Sequence, residues 1–167
     1  MEKARKGKVV GICGSPRKGN TEFLLEVALS TAKKAGAETE LILLRNRFIQ
    51  KNNPAEFNEL VDATAIILGS PSYEHNVTDL MKKFMESVKP LAEGGFLENK
   101  KGGVIAVGSQ SLKSIKSAAT VMEEFLESNG VNLEKTITII AEKPDDARKQ
   151  KDAIGAAMEL GKIMVGE

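Results

Sequence analysis

The residues best suited to chemistry form a block of eight, Gly14-Ser15-Pro16-Arg17-Lys18-Gly19-Asn20-Thr21, directly after a short apolar run. Such a turn presents consecutive backbone N–H groups, and a helix starting behind it aims its positive dipole end at the same spot. Ser15, Asn20 and Thr21 add side-chain donors, while Arg17 and Lys18 add positive charge. Together they describe an anion site. Asn20 or Thr21 capping the helix, with the basic pair in solvent, accounts for part of the same pattern, and the two uses are compatible. Spacing then narrows the anion. The interval from Gly14 to Gly19 mimics a nucleoside-triphosphate loop with Thr21 at the hydroxyl position. Asn20, however, stands where the lysine belongs, and Leu68-Gly69-Ser70 offers no carboxylate for Mg²⁺. Glycines at 11, 14 and 19 also miss the dinucleotide spacing. A terminal phosphate monoester held without metal fits better.

A second block, Gly69-Ser70-Pro71-Ser72-Tyr73-Glu74-His75-Asn76-Val77-Thr78, contains the chain's only Tyr and only His. Pro71 restricts the backbone ahead of Tyr73, whose ring suits contact with a flat ligand. The plainer reading is a turn with Asn76 or Thr78 capping the next helix. His75 by itself reads equally well as surface. A third segment, Gly108-Ser109-Gln110-Ser111, is polar and would close a cleft from the other side. No paired carboxylates and no Ser/His/Asp set are evident, so no residue is assigned a catalytic role.

The elements that must position these loops alternate between short apolar runs and helical patterns, the mark of a parallel sheet. Strands are expected at 8–13, 39–44, 65–68, 104–107 and 131–140. A helix spans 21–35, with Leu24, Ala28, Ala32 and Ala35 on one face. A short helix opens 54–63. Another helix runs over 78–89 until Pro90, and its Met81 and Met85 read as core. A fourth carries Ile115, Ala118, Met122, Phe125 and Leu126 and closes at Gly130, and the last begins at Pro144 with Asp145 and Asp146 in its first turn. The first, third and fourth strands are uninterrupted apolar runs, as in a sheet covered on both faces, whereas the second and fifth mix in polar residues like edges. That predicts an α/β three-layer sandwich with five parallel strands in the flavodoxin-like order 2-1-3-4-5, ligand beyond their carboxyl ends.

Composition sets the outer bounds. With 167 residues, a single domain over 1–167 is expected. A formal net charge of +1 argues against phosphate-coating nucleic-acid binding. Val9 to Cys13 is too short for the apolar part of a signal peptide, and nothing approaches the ~20 apolar residues of a membrane span. A cytoplasmic protein is the expectation. A lone Cys and a lone His exclude a disulfide framework and a thiolate zinc or iron–sulfur site within one chain. Cys13, ending an apolar strand, reads as a small hydrophobe.

GSPRKGNT after the first strand and GSPSYEHNVTDLMKKFME after the third resemble the NADPH-dependent FMN reductase family, particularly its iron–sulfur flavoprotein branch. The resemblance implies bound FMN, hydride taken from NAD(P)H, and transfer to a small acceptor such as a flavin or quinone. It further implies that Ser15, Arg17, Asn20 and Thr21, in a loop with Lys18 and Gly19, hold the FMN phosphate. Pro71, Ser72, Tyr73 and Asn76 would line the isoalloxazine, with Glu74 and His75 at its edge. Ser109 and Gln110 would contact the ring or ribityl chain. Family members associate, so a homodimer or homotetramer is expected, and Phe96 and Leu97 read as exposed apolar residues for that purpose.

Three departures stand out. The segment RNRFIQKNNPAEF lacks the cluster cysteines of the iron–sulfur branch, so no cluster is expected. Glu74 and His75 replace an aromatic and a glycine, and Gln110-Ser111-Leu112 lacks a glycine pair. The alternatives are a non-catalytic flavodoxin-type carrier, disfavoured because such carriers are strongly acidic, and a degenerate member that no longer binds FMN.

Overall fold

The computed structural model describes residues 6–109 and 111–167. Five strands, β1 (Lys8–Cys13), β2 (Glu38–Leu43), β3 (Ala65–Pro71), β4 (Lys101–Gly108) and β5 (Asn132–Ile140), pair in parallel in the order β2-β1-β3-β4-β5. This is the expected flavodoxin-like order. Helices α1 (Asn20–Lys34) and α5 (Lys151–Met164) cover one face, and α2 (Asp79–Ser87), α3 (Lys89–Glu93) and α4 (Leu112–Ser128) lie on the other.

Alternation along the inner strands builds a core on each face. Val10, Ile12, Ile66, Leu68, Val104 and Ala106 pack against Met81, Phe84, Ile115 and Met122. Val9, Cys13, Ala65, Ile67, Ile105 and Val107 pack against Leu24, Leu25, Ala157 and Leu160. Met81 and Met122 are fully buried, as their helical spacing predicts. Helices α1 and α5 cross so closely that a Cβ at Gly161 would lie 2.2 Å from the Ala28 carbonyl oxygen. Only glycine fits there.

Several boundaries move for physical reasons. β3 continues past Leu68 to Pro71 because Gly69, Ser70 and Pro71 pair with Ile105, Ala106 and Val107. β4 starts three residues early, at Lys101, through a bulge at Gly102/Gly103. A Cβ on Gly103 would sit 2.6 Å from Leu160 Cδ1, so these glycines serve packing rather than a turn. The helix expected over 78–89 ends at Ser87, and Pro90 opens α3 instead of stopping a helix, which the first turn tolerates.

Near the C-terminus, Pro144 does not start the last helix. A 3₁₀ turn at Asp146–Lys149 precedes α5, and the Asp146 carboxylate accepts the N–H groups of Glu142 (3.1 Å) and Lys143 (2.8 Å). That carboxyl is held below its ordinary pKa first by the Lys143 N–H. Leu97 is buried in the core (1% exposed), contrary to its reading as surface, while Phe96 is half exposed at 51%. Among the described residues, no helix is long and apolar enough to cross a membrane.

Candidate functional site

A cleft of about 690 Å³ opens at the carboxyl ends of the strands, within the roughly 300–1,000 Å³ range of small-molecule sites. Its floor is the loop between β1 and α1. Gly14 N–H donates to the Gly69 carbonyl at 2.8 Å, anchoring the loop to the neighbouring strand. The Ser15 hydroxyl donates to the Arg17 carbonyl at 2.6 Å and accepts the Arg17 N–H at 3.4 Å, which curls the loop back on itself. α1 then begins behind Gly19 with no side chain capping it. Neither Asn20 nor Thr21 therefore serves as a cap, and the first-turn N–H groups that lack helical partners face this end of the fold.

Asn20 lines the cleft, but both ends of its amide are engaged elsewhere. Nδ2 donates to the Lys143 carbonyl at 2.7 Å and Oδ1 accepts the Ala147 N–H at 2.9 Å, strapping the segment after β5 onto the start of α1. Arg148 reinforces the strap, its guanidinium 4.3 Å from the centre of the Phe23 ring. Thr21 is buried, with its methyl against Gly69. Arg17 and Lys18 are exposed.

The second wall follows β3. Thr78 accepts the Met81 N–H at 3.2 Å, capping α2, and its hydroxyl donates to the Gly14 carbonyl at 2.7 Å. The buried Ser70 hydroxyl accepts the Thr78 N–H at 3.2 Å. This network locks the first and third loops together. Beyond it, Tyr73 and Asn76 exchange backbone hydrogen bonds of 2.9 and 3.0 Å around a two-residue turn. Both central residues are left-handed, Glu74 at φ 49° and His75 at φ 65°, a conformation that favours glycine at a cost of roughly 1–2 kcal/mol per residue otherwise. Ser114 steadies the turn by accepting the His75 N–H at 3.3 Å and contacting the Ser72 hydroxyl at 3.1 Å.

Of the residues marked in the sequence, the structure brings Ser15, Arg17, Gly19, Asn20 and Thr21 to one cleft with Pro71, Ser72, Tyr73, Glu74 and Ser109. Lys18, His75 and Asn76 are not among its lining residues. Gln110 lies outside the described residues. Sequence reasoning missed two stretches of the lining. One is the start of α2 (Val77, Asp79, Leu80, Lys82), and the other is Ala141, Glu142 and Pro144 after β5. The strand-end rule covers the latter loop too, yet nothing in its composition singles it out.

Cys13 ends β1 beneath the first loop, fully buried. Burial pushes its thiol up to about 11 against a weaker opposing pull from the Ser15 N–H, so it stays protonated and unreactive at ordinary pH. Among the described residues there is no group of three or more His, Cys, Asp or Glu placed to hold a metal ion.

Comparison with known proteins follows the same lines. An iron–sulfur flavoprotein of Methanocaldococcus jannaschii is 29% identical over 93% of this chain and 94% of its own length. Among solved structures, an archaeal flavodoxin superposes with a TM-score of 0.72 at 19% identity, covering 95% of this chain and 96% of its own. A flavone reductase superposes with a TM-score of 0.77 at 19% identity over 95% of this chain, which spans only 62% of that longer one. At such identities these two show the fold. Residues 7–145 match the family model described as NADPH-dependent FMN reductase, and by that match over most of its length this chain belongs to the family.

Proposed function

We propose that the chain binds FMN in this cleft and uses it to pass reducing equivalents from NADH or NADPH to a small acceptor such as a flavin or quinone. The observation that carries the reading is the uncapped start of α1, opening with Ser15, Arg17 and Thr21 into a cleft large enough for a flavin. The donor set suits the group: backbone N–H groups and one arginine for a phosphate. On the opposite wall Pro71, Ser72 and Tyr73 supply a flat, partly apolar surface for a ring.

When bound, FMN supplies the hydride and one-electron chemistry; the protein contributes placement and electrostatics. Ser15 holds the loop's curl so that its N–H groups stay aimed at the phosphate. Asn20 fixes the wall after β5, and Thr78 keeps the phosphate loop and the ring wall in register. Tyr73, 48% exposed, offers an aromatic surface at the rim, where a nicotinamide or an acceptor approaches. Cys13 is the chain's only cysteine. A chain with one buried thiol cannot ligate an iron–sulfur cluster by itself, and the reading rests on flavin. Association into a homodimer or homotetramer completes the reading, with the exposed Phe96 available for contact.

Anaerobic titration of the FMN-loaded protein tests it. Bleaching of the yellow colour by NADH or NADPH, and return of the colour on adding a flavin or quinone, is the expected result. A holoprotein that neither nicotinamide bleaches overturns the reductase reading.

A further inference from the structure

A carboxylate is built into the helix turn that meets the phosphate. Glu22 follows Thr21 in the first turn of α1, and its side chain is only 5% exposed, so water does little to screen it. An acidic residue in a first turn stabilises the helix by occupying its positive end. A phosphate arriving at that end meets both a competitor for the same field and a like charge.

The answer to this conflict comes from another strand. Arg45 lies in the 3₁₀ turn Leu44–Asn46 after β2, whose Leu43 pairs with Cys13, the last residue before the phosphate loop. Its Nη2 meets Glu22 Oε1 at 2.7 Å. The bridge thus ties the first turn of α1 to the residue pair Cys13–Leu43 at the end of β1, where the loop begins. Arg45 does not line the cleft, so it is no ligand. Hydrogen bonding alone does not explain it either, because its buried Nη1 finds no partner among the described residues. A smaller neutral donor would satisfy Glu22 without that orphan. What a guanidinium adds is a permanent positive charge.

We infer that Arg45 is a positioning residue for the phosphate end of the cleft: by cancelling the Glu22 carboxylate it frees the α1 terminus for a phosphate. The inference rests on the FMN reading and goes beyond it by assigning a role to a residue outside the cleft. It makes opposite-signed predictions for the two partners, which a purely structural ion pair does not.

The test compares dissociation constants for FMN and for riboflavin, which lacks the phosphate, by flavin fluorescence quenching. Arg45→Gln leaves the carboxylate uncompensated and lowers the preference for FMN over riboflavin by about fivefold to tenfold, the scale of one poorly screened charge. Glu22→Gln leaves the arginine in surplus and raises the preference by a similar factor. The double variant returns near the wild-type ratio, and Arg45→Lys, which keeps the charge, retains it. Should Arg45→Gln fail to fold, the sign of the Glu22→Gln change decides alone. A ratio that stays at the wild-type value in Glu22→Gln, with both flavins weakened together, overturns the inference while leaving the FMN reading intact. A wild-type protein that binds riboflavin and FMN equally overturns the inference alone, and one that binds neither overturns both.

Discussion

The loop after β1 and the turn after β3 face the same cleft but are held by different means. The first is buttressed from every side: Gly14 is tied to Gly69 and Thr78, Ser15 to Arg17, and Asn20 to the strap after β5. The second stands exposed at Tyr73 to His75, carries two non-glycine residues in left-handed conformation, and leans on Ser114. On the proposed reading, the difference follows from what each would meet. A phosphate is recognised by fixed backbone dipoles, which lose their value if the loop reorganises. A ring edge and a visiting co-substrate need surface and access, and a turn under mild strain can supply both.

Removing the buttress has the largest expected effect. Thr78→Val leaves the buried Gly14 carbonyl and Met81 N–H without their partner, and should destabilise the fold by about 3 kcal/mol. Urea unfolding checks this, and a loss under 1 kcal/mol (~) would mean the two loops are not locked through that hydroxyl.

Next comes the buried thiol under the same loop. In the unfolded chain Cys13 ionises near its model-peptide value, while in the fold it holds its proton up to about 11. The unfolded state thus binds fewer protons between those values, and stability falls as pH rises through that window, by about 2–3 kcal/mol in all. Denaturation profiles between neutral and alkaline pH should show this slope in the wild type. Cys13→Ala should lack it.

Asn20 gives a smaller but more discriminating effect. Losing two strap hydrogen bonds in Asn20→Ala should cost about 1–2 kcal/mol. FMN and riboflavin should weaken by the same factor, because the side chain serves the wall. Weakening of FMN alone would instead make the amide a phosphate ligand, and the strap incidental.

The smallest change has the opposite sign. His75→Gly removes a left-handed penalty and should stabilise the protein by about 1 kcal/mol, seen as a raised Tm. No gain would show that contacts of the imidazole offset the strain.

Much of this molecule was legible before any coordinates. Uninterrupted apolar runs in VVGIC, AIIL and VIAV mark strands covered on both faces, and the polar residues of the second and fifth strands mark edges, so the order of the sheet follows. The loop after β1 was legible as a cleft-lining segment because glycine, hydroxyl and basic residues act through the local backbone over eight consecutive positions. Where interactions span the chain, local pattern carried no such signal. Asn20 looks like a cap or an anion ligand until the segment around Lys143 arrives to occupy its amide. Glycines 102 and 103 fall outside the apolar run that marks the fourth strand, yet they pair within β4, with Val131 and Leu160 close against them. Leu97 looks exposed until the core on the α2–α4 face takes it in.

By itself, then, the sequence determined the class of sheet, the sites of its loops and the donor-rich make-up of one of them, since periodicity and backbone chemistry are properties of neighbouring residues. Only the tertiary structure decided which side chains are free to meet a ligand and which are committed to holding the cleft's walls. That choice depends on partners up to 127 positions away, as between Asn20 and Ala147. Such partners are brought together by burying the two apolar cores rather than by any local preference.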